Sequence, residues 1–154
     1  MEVRVFWIGK TRLPGVAALT EEYSRRLSRF CEFRAEEIRP GSRKSGAAKG
    51  TLGAEESAML TRAAGSHLVV LDPSGRQWNS QEFAQFIKGL HEGAKHAVSF
   101  CVGGAEGFSP GFRQEADVLF SLSPLTLPHE LARVVLLEQI YRAWTLLAHH
   151  PYPR

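Results

Sequence analysis

Two turns in the last third of the chain hold the residues best placed to bind a ligand. Gly103-Gly104-Ala105-Glu106-Gly107 follows the apolar run Ala97-Val98-Ser99-Phe100-Cys101-Val102, and Ser121-Leu122-Ser123-Pro124-Leu125-Thr126-Leu127-Pro128 follows Val118-Leu119-Phe120. Each run reads as a buried strand, so both turns should lie at one edge of a parallel sheet, where α/β proteins bind their ligands. Glycine there lets a backbone approach a ligand closely. It serves any tight turn equally well, and the dinucleotide spacing Gly-x-Gly-x-x-Gly is absent. The strand end Leu71-Asp72-Pro73 makes the combination stronger: Leu71, Gly104, Leu122, Leu125 and Leu127 would form a narrow apolar slot suited to a planar base and a thioether or sulfonium chain.

Other reactive residue types are less suggestive. Cys31 and Cys101 both fall in expected strands and lack metal-ligand spacing, which fits buried free thiols in a reducing compartment. His149 and His150 are adjacent but have no clustered partners, so no metal site is expected. The formal net charge is +3, mild for a nucleic-acid binder but of the right sign. Lys10 and Arg12 follow the first strand, Arg25, Arg26 and Arg29 share a helix, and Arg39, Arg43, Lys44 and Lys49 sit in a loop. Converging on one face, they would give sequence-independent contacts to phosphates; dispersed, they merely solvate the surface.

The elements that must position these residues follow from periodicity. Val3 to Ile8 is a first strand. Pro14 opens a helix in which Val16, Leu19, Tyr23, Leu27 and Phe30 recur at spacings of three and four. Cys31 to Ile38 is a second strand, Pro40 to Gly50 a mobile loop, Thr51 to Ala64 a helix and His67 to Leu71 a central strand before a turn at Asp72-Pro73-Ser74-Gly75. Asn79 or Ser80 caps a helix carrying Phe83, Phe86, Ile87 and Leu90 on one face. A last helix, roughly Pro128 to Ala148, is apolar on nearly every side, so it is either central to the fold or packed on a second subunit. The alternation predicts an α/β fold around a mostly parallel sheet, with no internal repeat. At 154 residues, 44% hydrophobic and 23% charged, the chain is expected to be one globular domain over 1–154. No stretch reaches bilayer-spanning length, and the strand-like start lacks a signal-peptide cleavage site, which points to a cytoplasmic protein.

The blocks Val102-Gly103-Gly104-Ala105-Glu106-Gly107, Ser121 to His129 and Tyr141-Arg142-Ala143-Trp144, with the ending His150-Pro151-Tyr152, resemble the ribosomal RNA large subunit methyltransferase H family. So do Ile8-Gly9-Lys10, Glu22-Tyr23 with Arg25 and Arg26, and Leu71-Asp72 with Gly75 and Trp78. The likeness runs along essentially the whole chain. It implies a SPOUT fold: a Rossmann-like sheet whose C-terminal segment forms a trefoil knot holding S-adenosylmethionine in a bent form. Periodicity alone does not suggest this, because the connection rules make knots rare. It further implies a homodimer in which one subunit completes the other's site, and methylation of N3 of a pseudouridine in large-subunit ribosomal RNA on the assembled ribosome.

On matching positions, Leu71, Gly104, Ser123, Pro124, Leu125, Thr126, Leu127 and Pro128 would contact the cofactor, largely through backbone atoms. Three residues are candidates for the chemistry. His129, at the mouth of the cofactor loop, can accept or relay the imide proton. Arg142 can stabilise a developing enolate oxygen or grip a phosphate, although Glu138 four residues earlier offers it an ordinary ion pair. Tyr152 can stack on the target base. Family members often carry histidine after this tyrosine; here the position is Pro153, which leaves Tyr152 as the better candidate in the tail. Two alternatives stand beside this reading: a SPOUT methyltransferase acting on tRNA, and a non-catalytic ribosome-binding factor.

Overall fold

The computed structural model describes residues 1–41, 52–93 and 95–153. Five strands, β1 (Glu2–Ile8), β2 (Glu32–Ile38), β3 (His67–Arg76), β4 (Ala97–Val102) and β5 (Val118–Phe120), alternate with five helices: α1 (Pro14–Leu27), α2 (Ala54–Ala63), α3 (Ser80–Glu92), α4 (Pro110–Gln114) and α5 (His129–Leu147). The sheet order is β2-β1-β4-β3-β5 and every pairing is parallel. The expected α/β alternation is therefore present in full. Most of the basic loop predicted at 40–50, including Arg43, Lys44 and Lys49, lies outside the described residues.

Side-chain alternation along the strands divides the core between two faces. Val3, Val5 and Trp7 of β1, Val69 of β3 and Val98, Phe100 and Val102 of β4 pack with Leu27 of α1, Phe83 and Ile87 of α3 and Leu136, Leu137 and Ile140 of α5. Phe6, Leu68, Val70 and Cys101 face the other way, against Met59 and Ala63 of α2 and Phe112 of α4. Sheet strands buried on both faces read as continuous apolar runs, and all six residues of β4 are buried.

Local signals set the helix starts. Asn79 caps α3 by accepting from the backbone N–H groups of Gln81 and Glu82, and Glu82 returns the bond to Asn79 N. Pro14 begins α1, which ends at Leu27 rather than near Phe30. Cys31 consequently stands in the bend before β2, not within it. Leu19, expected on the apolar face of α1, is 45% exposed.

The many-sided apolar surface of α5 is accounted for mostly within the chain: the helix packs on both α1 and α3 and against β4. Leu131 and Leu146 remain exposed on it. Among the described residues no helix is long and apolar enough to cross a membrane.

The sheet departs from the expected turn after Leu71. Leu71 and Arg76 both register against Phe120, so 72–75 leave the β3–β5 ladder and the strand resumes at Arg76. Gly75 lies hard against β5: a Cβ there would stand 2.5 Å from Phe120 N and 2.6 Å from Leu119 C. Only a residue without a side chain lets the two backbones pass this closely.

Candidate cofactor slot and C-terminal cleft

The C-terminal ends of β3, β4 and β5 enclose a cavity of about 240 Å³. Its walls bring together Leu71, Gly104, Ser123, Pro124, Leu125, Thr126 and Leu127, with His129 and Ala132 from the start of α5. Seven of the eight expected cofactor positions therefore meet; Pro128 is the N-cap of α5 instead of a wall. Val102, Phe120 and Leu122 add apolar surface. The volume is just under the usual range for small-ligand sites, about 300 to 1,000 Å³, so a ligand here fills the space.

Hydrogen bonds shape the slot. Ser121 Oγ donates to Ser123 O at 3.0 Å, and Leu125 N donates to Ser123 Oγ at 2.9 Å, which folds the leucine-rich loop on itself. Leu125 is 77% exposed despite its apolar side chain. On the opposite wall, Asp72 accepts from Ser74 N, and Arg113 of α4 pairs with Asp72 Oδ2 at 3.0 Å while donating to Ser74 Oγ. Sequence reasoning missed Arg113, because the contact joins elements 41 positions apart and has no periodic signature.

The slot suits S-adenosylmethionine on one observation in particular. Gly104 lines the cavity, and nothing lies within 4 Å of where its Cβ would stand. A Cβ there would stand in open space. The rest of the lining mixes apolar side chains with Asp72, Ser121, Ser123, Thr126 and His129, so a planar base and a thioether-like chain would meet apolar walls and a few polar partners.

Arg142 and Tyr152 lie elsewhere. They line a separate cleft of about 580 Å³ with Thr145, Leu146, His150, Pro151 and Pro153. His129 and Arg142 are thirteen residues apart on one helix, about 20 Å at 1.5 Å per residue. The three candidates for the chemistry are thus split, one at each end of α5 and one in the tail beside its far end.

In that cleft Arg142 serves the tail and its own helix together. Nε donates to Glu138 Oε1 at 3.0 Å, Nη1 donates to Pro153 O at 2.7 Å, and the guanidinium lies 4.8 Å from the centre of the Tyr152 ring. Both the ion pair and the tail contact are present. Tyr152 meets Tyr141 edge-on and shares a 3.2 Å hydroxyl contact with Tyr23. Burial first, and then the bond to Tyr23, pushes the Tyr152 phenol well above its ordinary value, so it is neutral and cannot act as a base. Tyr23 was visible in the sequence as a helix-face aromatic and as part of the resemblance, without its contact to Tyr152.

A buried polar unit sits beneath the first turn of α5. Arg133, on the helix side away from Glu138 and Arg142, is 0% exposed. It donates to Ile8 O at 2.8 Å and Thr11 Oγ1 at 3.2 Å, and lies over the Trp7 ring. Glu130 Oε1 accepts from Arg12 N at 2.7 Å and Leu13 N at 3.2 Å. Those backbone bonds, Leu13 first, hold the Glu130 carboxyl below its usual range against the opposing effect of burial. The helix that follows the cofactor loop is thereby fastened to the loop after β1.

A larger groove of about 790 Å³ runs between α3 and the end of α5, lined by Arg76, Trp78, Gln85 and Leu146 among others. It shares no residue with the slot. Among the described residues no group of three or more His, Cys, Asp or Glu is arranged to hold a metal.

Known proteins resemble this chain in sequence and in fold. A family profile described as "Predicted SPOUT methyltransferase" matches residues 1–153. The ribosomal RNA large subunit methyltransferase H of Methylococcus capsulatus is 39% identical over 157 aligned positions, covering 100% of each chain. Among solved structures, the tRNA (m1G37) methyltransferase of Aquifex aeolicus superposes with a TM-score of 0.59 at 15% identity, over 100% of this chain and 75% of the other. A methyltransferase of Legionella pneumophila in complex with bound SAM gives 0.53 at 14% identity, over 93% and 66%.

Proposed function

The chain belongs to the SPOUT methyltransferase family, is an enzyme and uses S-adenosylmethionine, and we propose that it methylates N3 of a pseudouridine in large-subunit (23S) ribosomal RNA on the assembled ribosome, in the cytoplasm. The observation that carries this reading is the cavity itself: the loop 121–127 and the glycine turn with Gly103, Gly104, Ala105 and Gly107, two of the blocks in which the sequence resembles methyltransferase H, form its walls together.

The bound cofactor supplies an electrophilic sulfonium methyl group. What the protein must add is alignment of N3 with that methyl and removal of the imide proton. Alignment of this type is worth on the order of 7 to 11 kcal/mol at best. His129, lining the slot at the start of α5, is the residue within reach to take the proton. Arg142 holds a phosphate or a developing enolate oxygen, and neutral Tyr152 stacks on the base.

Separation of about 20 Å along α5 prevents His129 and Arg142 of one chain from serving one nucleotide. The reading is therefore of a homodimer in which the cleft of one subunit faces the slot of the other. Leu19, Leu131 and Leu146 are exposed apolar residues that a second copy would cover. The close backbone passage at Gly75 supports a knotted path for the chain from β3 through β5 into α5.

The test supplies labelled S-adenosylmethionine with unmodified ribosomes, with free 23S rRNA, with ribosomes carrying uridine at the target and with tRNA. Labelling of the first alone is expected. Equal labelling of the uridine form would remove the pseudouridine specificity, and labelling of tRNA alone would move the substrate. Ribosome binding with no transfer to any of them would leave a binding factor.

A further inference from the structure

We infer that Lys10, Arg12 and Arg39 form a preset phosphate-binding ridge that receives the RNA backbone beside the cofactor slot; this rests on the ribosomal RNA reading above. The ridge follows from sheet order. β1 and β2 are neighbours, and their C-terminal ends lie at the same edge as the slot. Gly9 N donates to Ile38 O at 2.9 Å, and Pro40 Cγ is 3.8 Å from where a Gly9 Cβ would stand, so the segments carrying Lys10 and Arg39 are in contact. On its other side β1 pairs with β4, Trp7 opposite Val102. Val102 and Gly103 line the slot, so the strand that leads into Lys10 runs one strand spacing, about 5 Å, from the strand that forms the slot wall.

Charge bookkeeping singles out these three. Elsewhere among the described residues most cations are neutralised: Arg4 by Glu2, Arg25 and Arg26 by Glu22, Arg62 by Glu36, Arg113 by Asp72 and Arg142 by Glu138. Arg25 and Arg26, which the sequence offered as phosphate contacts, are thus engaged on α1. Lys10, Arg12 and Arg39 are exposed and make no ion pair among the described residues. Arg29, Arg76 and Lys95 also stand outside ion pairs, but on scattered elements.

The ridge is held in advance. Glu130 accepts the Arg12 and Leu13 N–H groups, while Arg133 takes Ile8 O and Thr11 Oγ1. Glu130, the carboxylate hydrogen-bonded to this loop, is spent on backbone and not on Lys10 or Arg12. The loop is fastened to the helix that bears His129, so a phosphate on the ridge and a base at the slot are referred to one rigid element. Three exposed, unpaired cations in a fixed row suit a polyanion read by charge rather than sequence.

The experiment measures binding of the full chain to assembled ribosomes and to deproteinised 23S rRNA across a salt series. For Lys10→Gln/Arg12→Gln/Arg39→Gln, weaker binding to both is expected, with the slope of log K against log salt reduced by about two. Lys10→Arg/Arg12→Lys/Arg39→Lys should keep the parental slope, and calorimetric affinity for S-adenosylmethionine should be the same in all three proteins. An unchanged slope in the glutamine variant overturns the ridge. So does weakened binding to ribosomes with intact binding to free rRNA, which would mark a ribosomal protein as the partner, and so does a parallel fall in cofactor affinity. Absence of binding by the unaltered chain would overturn the ribosomal RNA reading and the ridge with it.

Discussion

Arg133 Nη2 donates to the carbonyl oxygen of Ile8 at 2.8 Å across 125 positions of sequence, from a side chain with no solvent exposure. A cation in that position ties the last helix to the first strand and is itself tolerated only because its surroundings are polar. Burial pulls the Arg133 pKa down, opposed by Glu130 and Glu37, and the group remains charged.

Arg133→Met should therefore destabilise the fold by about 3 kcal/mol, since it leaves Ile8 O and Thr11 Oγ1 without their donor and removes the positive charge near Glu130. Urea unfolding reads this as a lower midpoint with the same slope. Arg133→Lys keeps the charge but cannot reach both acceptors with a planar fork, so its loss should be smaller yet clear. A midpoint unchanged in Arg133→Met would show that the contact carries no stability.

Gly75→Ala and Gly104→Ala should fail in opposite ways. At Gly75 a methyl group would meet backbone atoms of Leu119 and Phe120 at 2.5 to 2.6 Å, and neither can rotate aside. A loss above about 4 kcal/mol is expected, with little folded protein recovered. At Gly104 the methyl finds open space, so the thermal midpoint should hold while calorimetric affinity for S-adenosylmethionine falls at least tenfold. Retained cofactor affinity in Gly104→Ala would place the ligand off this wall.

How legible the site was depended on the kind of contact involved. Strands and helices came through because their periods of 2 and 3.6 are written locally, and the slot came through because its walls are consecutive runs, 103–107 and 121–128. Arg133 was legible only as a polar position on an apolar helix. Its meaning lies in a bond to Ile8 that no local pattern encodes, as does that of Arg113 on Asp72. The excursion at 72–75 was read as a simple turn, since only the partner strand reveals that Leu71 and Arg76 meet the same residue, Phe120. The separation of His129 from Arg142 was implicit in helix geometry, yet the resemblance grouped them because it named roles without distances.

The two thiols give the fold a dependence on alkaline pH. Burial pushes Cys31 and Cys101 up from 9.0 to about 12. An acid whose folded pKa is raised contributes stability that is complete below its unfolded value and lost as pH rises toward the folded one. Stability should thus be level below about pH 8.5 and fall between pH 9 and 12, by about 1.4 kcal/mol per pH unit for each thiol. Cys101→Ala should flatten that decline in urea titrations, more surely than Cys31→Ala, because Cys101 is fully buried and Cys31 only partly so. An aromatic disulfide reagent at pH 8 should leave native Cys101 unmodified until denaturant is added, while the partly exposed Cys31 reacts slowly.

Mixing two inactive proteins gives the most direct test of a site shared between subunits. Gly104→Ala weakens cofactor binding and Arg142→Ala removes the tail clamp, so with S-adenosylmethionine held below the weakened Kd each homodimer should transfer to ribosomes at roughly a tenth of the unaltered rate or less. After denaturation and joint refolding at equal amounts, half of the dimers are heterodimers. If slot and cleft act across the interface, one of the two sites in each heterodimer pairs an intact slot with an intact cleft. Activity should return to roughly a quarter of the unaltered level. If each chain instead supplies its own slot and cleft, no site in the mixture is whole and activity stays at the background of the parents. Arg142→Lys separates clamp from charge: keeping the cation but losing the bidentate geometry on Glu138 and Pro153 should restore little of the transfer rate.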